Sequence, residues 1–312
     1  TLSNGAKVVI KPTDFNNDQI LFAASSFGGV SLYPDDKVLN ASFAASVIGD
    51  CGIGNYTPIM FNKYMFGKNF SVNPWISNIS EGISGSTTVK DLETFLQNVY
   101  MIFEAPRKDQ NVLDKKIDAW KTDIQTQKNS PDFQYGITLA KLKYPTDTRS
   151  IIYLKEEDLA NMNLDEMYAI FKERFSNAGD FTFYFVGNID IEKIIPWIEK
   201  YIGGISSTPN REKWMDRSTP FATGIVNETV YAGIGEKAKF NICTNRNFDW
   251  NDKDRLAISL LNNIVKIKLT EDIREKLGGT YGTAFSLSSS KFPQTKIDMN
   301  IALGCQPTRA DE

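Results

Sequence analysis

A chain of 312 residues with 35 Lys and Arg against 38 Asp and Glu has a formal charge of −3 and contains no histidine. Without a run of like charge it offers no electrostatic footprint for nucleic acid or an anionic surface, so no nucleic-acid partner is expected. No stretch approaches the roughly 20 consecutive apolar residues of a membrane span, so membrane insertion is not expected either. The missing imidazole removes the usual general base near neutral pH and the commonest zinc ligand. Ser-His-Asp and Cys-His triads, and zinc motifs built on histidine, cannot come from this chain alone.

The composition, 41% hydrophobic and 12% aromatic, is that of a folded chain long enough for two ordinary domains. Lys7 to Ile10 and Gln19 to Phe27 read as strands, the second stopped by Gly28-Gly29. Pro34-Asp35-Asp36 opens a helix whose Leu39, Phe43 and Val47 fall at i, i+4 and i+8. After Cys51-Gly52-Ile53-Gly54-Asn55, residues 70–76 and 79–87 form a hairpin turning at Ser77-Asn78. Asp91 is placed to cap the next helix, whose face is Leu92, Phe95, Leu96, Val99 and Phe103. Another helix runs from about Asp109 to Lys128. Further on come a helix over 164–175, a strand over 181–186, and a helix burying Ile191, Ile194, Ile195 and Ile198.

Residues 206–222 are polar, hold two prolines and show no period, so they read as a linker between a unit at 1–205 and a second at 223–312. In the second unit, strands are expected at 226–231 and 238–244, a long helix over 251–276, and strands at 280–288 and 295–303. Both units are α+β, each a mixed, mostly antiparallel sheet packed against helices on one face. The second echoes the first and stops at residues 306–312, where Thr308 and the closing acidic pair look like the first turn of a further helix. The expectation is therefore a truncated second unit cut from a longer chain.

Weaker signals carry no chemical role. Cys51, Cys243 and Cys305 lack any C-x-x-C pairing and read as buried free thiols. Gly52 and Gly54 lack a Gly-Lys-Ser/Thr continuation and read as a turn. Glu271, Asp272 and Glu275 read as a solvated helix face, and Lys155 to Asp158 as a helix start.

Arg274 sits in the last turn of the long helix, Gly278-Gly279 ends it, and Tyr281 begins the next strand. A helix, glycine turn and strand can return the guanidinium and the phenol to one wall of a cleft, where both are donors suited to a peptide carbonyl or its oxyanion. An arginine near a helix C-terminus and a tyrosine in a strand are also ordinary structural choices.

The stretch Arg274-Glu-Lys-Leu-Gly-Gly-Thr-Tyr281 resembles the substrate-clamping Arg and Tyr element of the pitrilysin and insulin-degrading-enzyme family of zinc metallopeptidases. Phe185-Val-Gly-Asn-Ile189 and the strand, Gly-Gly, Pro-Asp and helix order near the start are similar to that family too. The resemblance implies a parent of four homologous units in two halves. The first half carries the inverted zinc motif, and the second supplies an Arg and a Tyr at the active centre. This chain corresponds to the third unit and most of the fourth, and the metal motif would fall at Phe43-Ala-Ala-Ser46-Val47, where the two histidine positions hold hydrocarbon.

The implied function is the zinc-free C-terminal half of a metalloendopeptidase, inactive alone, in which Arg274 and Tyr281 bind substrate and stabilise the transition state. Zinc is implied in the parent and not in this chain. The implied partners are peptide substrates and a zinc-bearing N-terminal half or partner subunit. The alternative is a catalytically silent scaffold or partner subunit of the same superfamily. A periplasmic or cell-envelope setting is favoured over the cytoplasm.

Overall fold

The structure, a computed structural model, describes residues 1–276 and 280–310, with the side chains of residues 274–276, 280 and 281 outside the description. Two compact units divide the chain: Thr1–Gln125 with Tyr153–Met215, and Thr126–Ile152 with Asp216–Glu312. The division differs from a simple cut at 205. Residues 126–152 group with the second unit, and residues 206–215 group with the first.

In chain order the elements are strands β1 (Lys7–Pro12) and β2 (Ile20–Phe27), helices α1 (Val38–Gly49) and α2 (Pro58–Tyr64), strands β3 (Phe70–Ile76) and β4 (Ser80–Thr87), and helices α3 (Leu92–Glu104), α4 (Gln110–Gln127) and α5 (Pro131–Lys143). Helices α6 (Glu156–Ala160) and α7 (Leu164–Arg174), strand β5 (Thr182–Gly187) and helix α8 (Ile191–Tyr201) follow. Strand β6 (Ala238–Asn247), helix α9 (Asp252–Leu269), a π-helical segment (Thr270–Lys276), and strands β7 (Thr280–Ser290) and β8 (Lys296–Cys305) complete the order.

The first unit holds a sheet ordered β1-β5-β2-β4-β3, with β1 parallel to β5 and every other pair antiparallel. Period-two burial along β2 puts Ile20, Phe22 and Ala24 into the core and leaves Leu21 half exposed, so one face of the sheet receives helices. Phe22 meets Phe95 and Phe185 with ring centroids 5.0 Å apart in each case, and Phe103 meets Phe181 at 5.0 Å. The Phe22–Phe95 edge-to-face contact joins α3 to the sheet. All five residues expected on the α3 face are buried. Of the four isoleucines expected inside on α8, Ile194 and Ile198 share one buried i, i+4 stripe, while Ile191 and Ile195 form a neighbouring stripe that is exposed.

Asp91 stands at the N-cap position of α3 without capping it. Its Oδ2 instead accepts from Asn69 N at 2.9 Å and Thr88 Oγ1 at 3.1 Å, tying the end of the hairpin to the helix start. The Gly28-Gly29 stop is steric in origin. Gly29 has φ +59°, and a Cβ there would lie 2.2 Å from Ser77 O.

In the second unit β6, β8 and β7 form an antiparallel sheet in that order, and α9 packs on β7, where Leu287 N donates to Asn262 Oδ1 at 2.9 Å. The strand expected at 226–231 does not form. Val226 and Tyr231 are exposed in irregular chain, where β-branched and aromatic residues without a covering layer gain nothing from extension. Helix α5 belongs to this unit, with Lys239 Nζ on Asp132 at 3.0 Å and Asn241 Nδ2 donating to Tyr135 at 3.0 Å.

Candidate functional site

The frame around Arg274 and Tyr281 begins with α9, which passes at Thr270 from α- into π-helical hydrogen bonding that runs to Lys276. Strand β7 then pairs Thr280 with Cys305 and Gly282 with Gly304, so two steps along β7 match one step along β8. Such an offset locally re-aims a strand, and π-helical segments locally change where side chains on a helix point. The side chains of Arg274 and Tyr281, together with Gly278 and Gly279, lie outside the described residues. Their convergence on one cleft wall stays an expectation from the sequence.

The segment expected to align with a metal motif is fully described. Val47 has no solvent exposure, and Phe43 meets Trp120 edge-to-face at 5.0 Å. Both positions share one side of α1, as the i, i+4 spacing requires, but they offer carbon and no lone pair. These residues do not fit zinc. Among the described residues no group of three His, Cys, Asp or Glu gathers as a metal site.

A buried charge cluster went unread in the sequence because its members are scattered over 184 residues. Arg174, at the end of α7, has no side-chain exposure, and Glu81 on β4 is 1% exposed. Arg174 donates through Nε to Tyr33 at 3.0 Å, through Nη1 and Nη2 to the two oxygens of Glu212 at 2.6 and 3.0 Å, and through Nη2 to Glu173 at 3.0 Å. Glu81 accepts from Gly29 N at 2.6 Å and stands 3.8 Å from the Arg174 guanidinium.

Burial pushes the Glu81 carboxyl up to about 7, with the Gly29 amide and the Arg174 charge pulling the other way. Burial also raises the Tyr33 phenol. Burial opposes the Arg174 charge, but the Glu212 hydrogen bonds and the neighbouring negative groups outweigh it and hold the guanidinium protonated. Shifted groups often mark reactive sites. Here every partner is satisfied from within, so the cluster is a lock that holds the Gly28-Gly29 turn, α7 and residues 206–215 together.

A cavity of about 520 Å³ opens between the C-terminal end of α1, helix α2 and strand β3. Phe61, Met65, Phe70 and Val72 supply apolar walls, with Asn62 and Lys68 at the outside. Gly52 turns the chain beside it: φ is +83°, and a Cβ would lie 2.2 Å from Tyr56 O. Cys51 and Cys305 are buried thiols and Cys243 is half-buried.

Residues 161–312 match a family described as the peptidase M16 inactive domain. The chain is similar over its whole length to the probable zinc protease PqqL of Haemophilus influenzae, at 22% identity, covering 33% of that protein. Its fold superposes on the periplasmic protease PqqL from Escherichia coli with a TM-score of 0.85, at 22% identity, covering all of this chain and 34% of that one. It also superposes on a peptidase M16 inactive domain from Pseudomonas fluorescens with a TM-score of 0.74, at 16% identity, covering 98% of this chain and 73% of that one. The chain spans about a third of the length of the curated relatives it matches.

Proposed function

On the match of residues 161–312 to the peptidase M16 inactive domain, we propose that the chain is the zinc-free, substrate-holding half of a zinc endopeptidase. Arg274 and Tyr281 bind the peptide and donate hydrogen bonds to the oxygen on which negative charge develops as the amide is attacked. A zinc centre belongs to another part of the parent or to a partner subunit. The observation that carries this reading is the hydrocarbon pair Phe43 and Val47, packed against Trp120 and the core where a catalytic half would hold metal. Similarity along the whole of this chain to a third of proteins named probable zinc proteases supports it.

Substrates are peptides, held largely through main-chain hydrogen bonds, so sequence preference is loose. The setting is the periplasm or cell envelope, in keeping with the relative named a periplasmic protease. Among the described residues no helix is long and apolar enough to cross a membrane.

The test is peptide cleavage by the complete parent, or by this chain mixed with its zinc-bearing half, with and without a chelator. The expected result is chelator-sensitive cleavage that this chain alone does not show. Stoichiometric zinc binding or cleavage by the isolated chain overturns the reading. Absence of cleavage by the zinc-loaded whole makes the chain a silent scaffold.

A further inference from the structure

The cavity beside α1, α2 and β3 is walled entirely by residues of the first unit, and its inner end carries an unanswered acceptor. Asn98 on α3 is 4% exposed and lines that end with Ile102, one turn further along the helix, and with Phe171 of α7, both also buried. The Asn98 Nδ2 donates to Thr94 O at 2.7 Å, and because a carbonyl only accepts, that bond fixes which end of the amide is oxygen. Its Oδ1 accepts no hydrogen bond among the described residues. The one buried side-chain polar atom there that is both sealed off and without a hydrogen-bond partner is Asp91 Oδ1, so Asn98 Oδ1 is reached from the cavity. A buried acceptor left unpaired is costly, and a donor brought in by a ligand would satisfy it.

The rest of the wall says what kind of ligand fits. The charges at the mouth are already neutralised, Asp50 by Lys116 at 2.6 Å and Lys68 by Asp91 at 3.4 Å, so nothing there compensates a charged guest. Pro58, Pro74 and Pro106 stand half-buried in the wall and have no N–H, which leaves a peptide main chain few donors to meet. Gly52, with no room for a Cβ, fixes the turn at the rim, so the space is formed in advance, as ligand pockets usually are.

We propose that this cavity binds a small, uncharged aromatic molecule carrying one N–H or O–H donor, with the donor on Asn98 Oδ1 and the rings against Phe61, Met65 and Phe171. A volume of about 520 Å³ lies within the range of ligand pockets and has room for two fused rings. A guest with only an acceptor at that position would set lone pair against lone pair and is rejected. The site shares no residue with Arg274 and Tyr281, so it stands or falls apart from the peptidase reading.

The probe is indole, whose single polar group is a donor, titrated by calorimetry into this chain and into the complete parent. Saturable binding is expected with a Kd below about 1 mM in both. Replacing indole by 1-methylindole removes the donor and leaves the protein untouched, and should weaken binding roughly tenfold. In Asn98→Leu the two ligands should bind alike, at the level of 1-methylindole. Met65→Trp, which fills the cavity, should abolish binding of both.

Equal affinity of indole and 1-methylindole for the unsubstituted chain overturns the proposal, as does absence of saturable binding up to about 5 mM ligand. Binding to this chain but not to the complete parent overturns it too, by showing that the parent fills the cavity with its own segment. N-acetyltryptophanamide, which carries the same rings on a peptide main chain, should bind more weakly than indole. Equal or tighter binding of it would assign the cavity to a polypeptide side chain and not to a free small molecule.

Discussion

Glu212 closes a two-pronged ion pair on the buried Arg174, with oxygens 2.6 and 3.0 Å from Nη1 and Nη2. The segment that carries Glu212 is anchored further by Asn177, whose Oδ1 accepts from Ser207 Oγ at 2.8 Å and Thr208 N at 2.9 Å and whose Nδ2 donates to Asn210 O at 2.9 Å. Met215 N then donates to Ser31 Oγ at 3.0 Å. What reads in the sequence as the start of a linker is a strap on the first unit.

Glu212→Ala should release that strap at a cost of about 1.5 to 3 kcal/mol, the range for a charge-assisted hydrogen bond. Trypsin cleavage after Arg211 and Lys213 should accelerate well before global unfolding. Arg174→Ala strands Glu81 and should cost about 3 to 5 kcal/mol in urea unfolding. Equal proteolysis rates in Glu212→Ala and the parent sequence would show that the strap holds by other contacts.

Glu81 titrates at about 7 in the folded chain against 4.5 in the unfolded one. The folded state therefore binds more protons between those values, and stability falls as pH rises through that window. Its contribution is complete below pH 4.5 and gone above about 7, on the order of 3 kcal/mol in all. Glu81→Gln should flatten the dependence of Tm on pH between 4.5 and 7 and raise Tm above 7. A Gln variant with an unchanged slope would assign the dependence elsewhere.

Gly29→Ala should destabilise by more than about 2 kcal/mol, since it combines a left-handed φ with a contact at 2.2 Å from a backbone oxygen that cannot swing away. Chemical denaturation decides it, and a loss under about 1 kcal/mol would mean that the hairpin at Ser77 moves freely.

In the complete parent, Arg274→Ala and Tyr281→Phe should each lower turnover roughly 10- to 1,000-fold, the cost of losing an oxyanion donor. Circular dichroism should be unchanged. Full activity in both variants would reduce the pair to structural residues of a helix end and a strand.

Periodicity made the strongest elements legible. The face of α3 follows directly from apolar spacing, because its residues are buried, and the hairpin of β3 and β4 follows from the Ser77-Asn78 turn that joins them. Helices α2 and α5 lack such a stripe, and none of their residues is buried. Their signal lay in the caps: Thr57 before Pro58 and Ser130 before Pro131, each accepting from the backbone three residues on.

Helix α9 was legible as a helix, but Leu256, Leu260, Ile264 and Ile267 are all exposed. Spacing reports that a face is apolar and says nothing of what covers it. The same limit applied to the site. Spacing alone left Arg274 and Tyr281 as ordinary structural choices, and the Arg174 cluster required knowing which distant residues meet.

Because α5 lies in the middle of the first unit's sequence yet bonds through Asp132 and Tyr135 to β6, no single cut separates the two units. During synthesis α5 leaves the ribosome about 100 residues ahead of its sheet, and β1 likewise waits for β5. Assembly therefore cannot proceed strictly from one end, and each unit stays open until sequence on the far side of the other has emerged. Separating them cleanly calls for circular permutation, with α5 carried to the front of its own sheet.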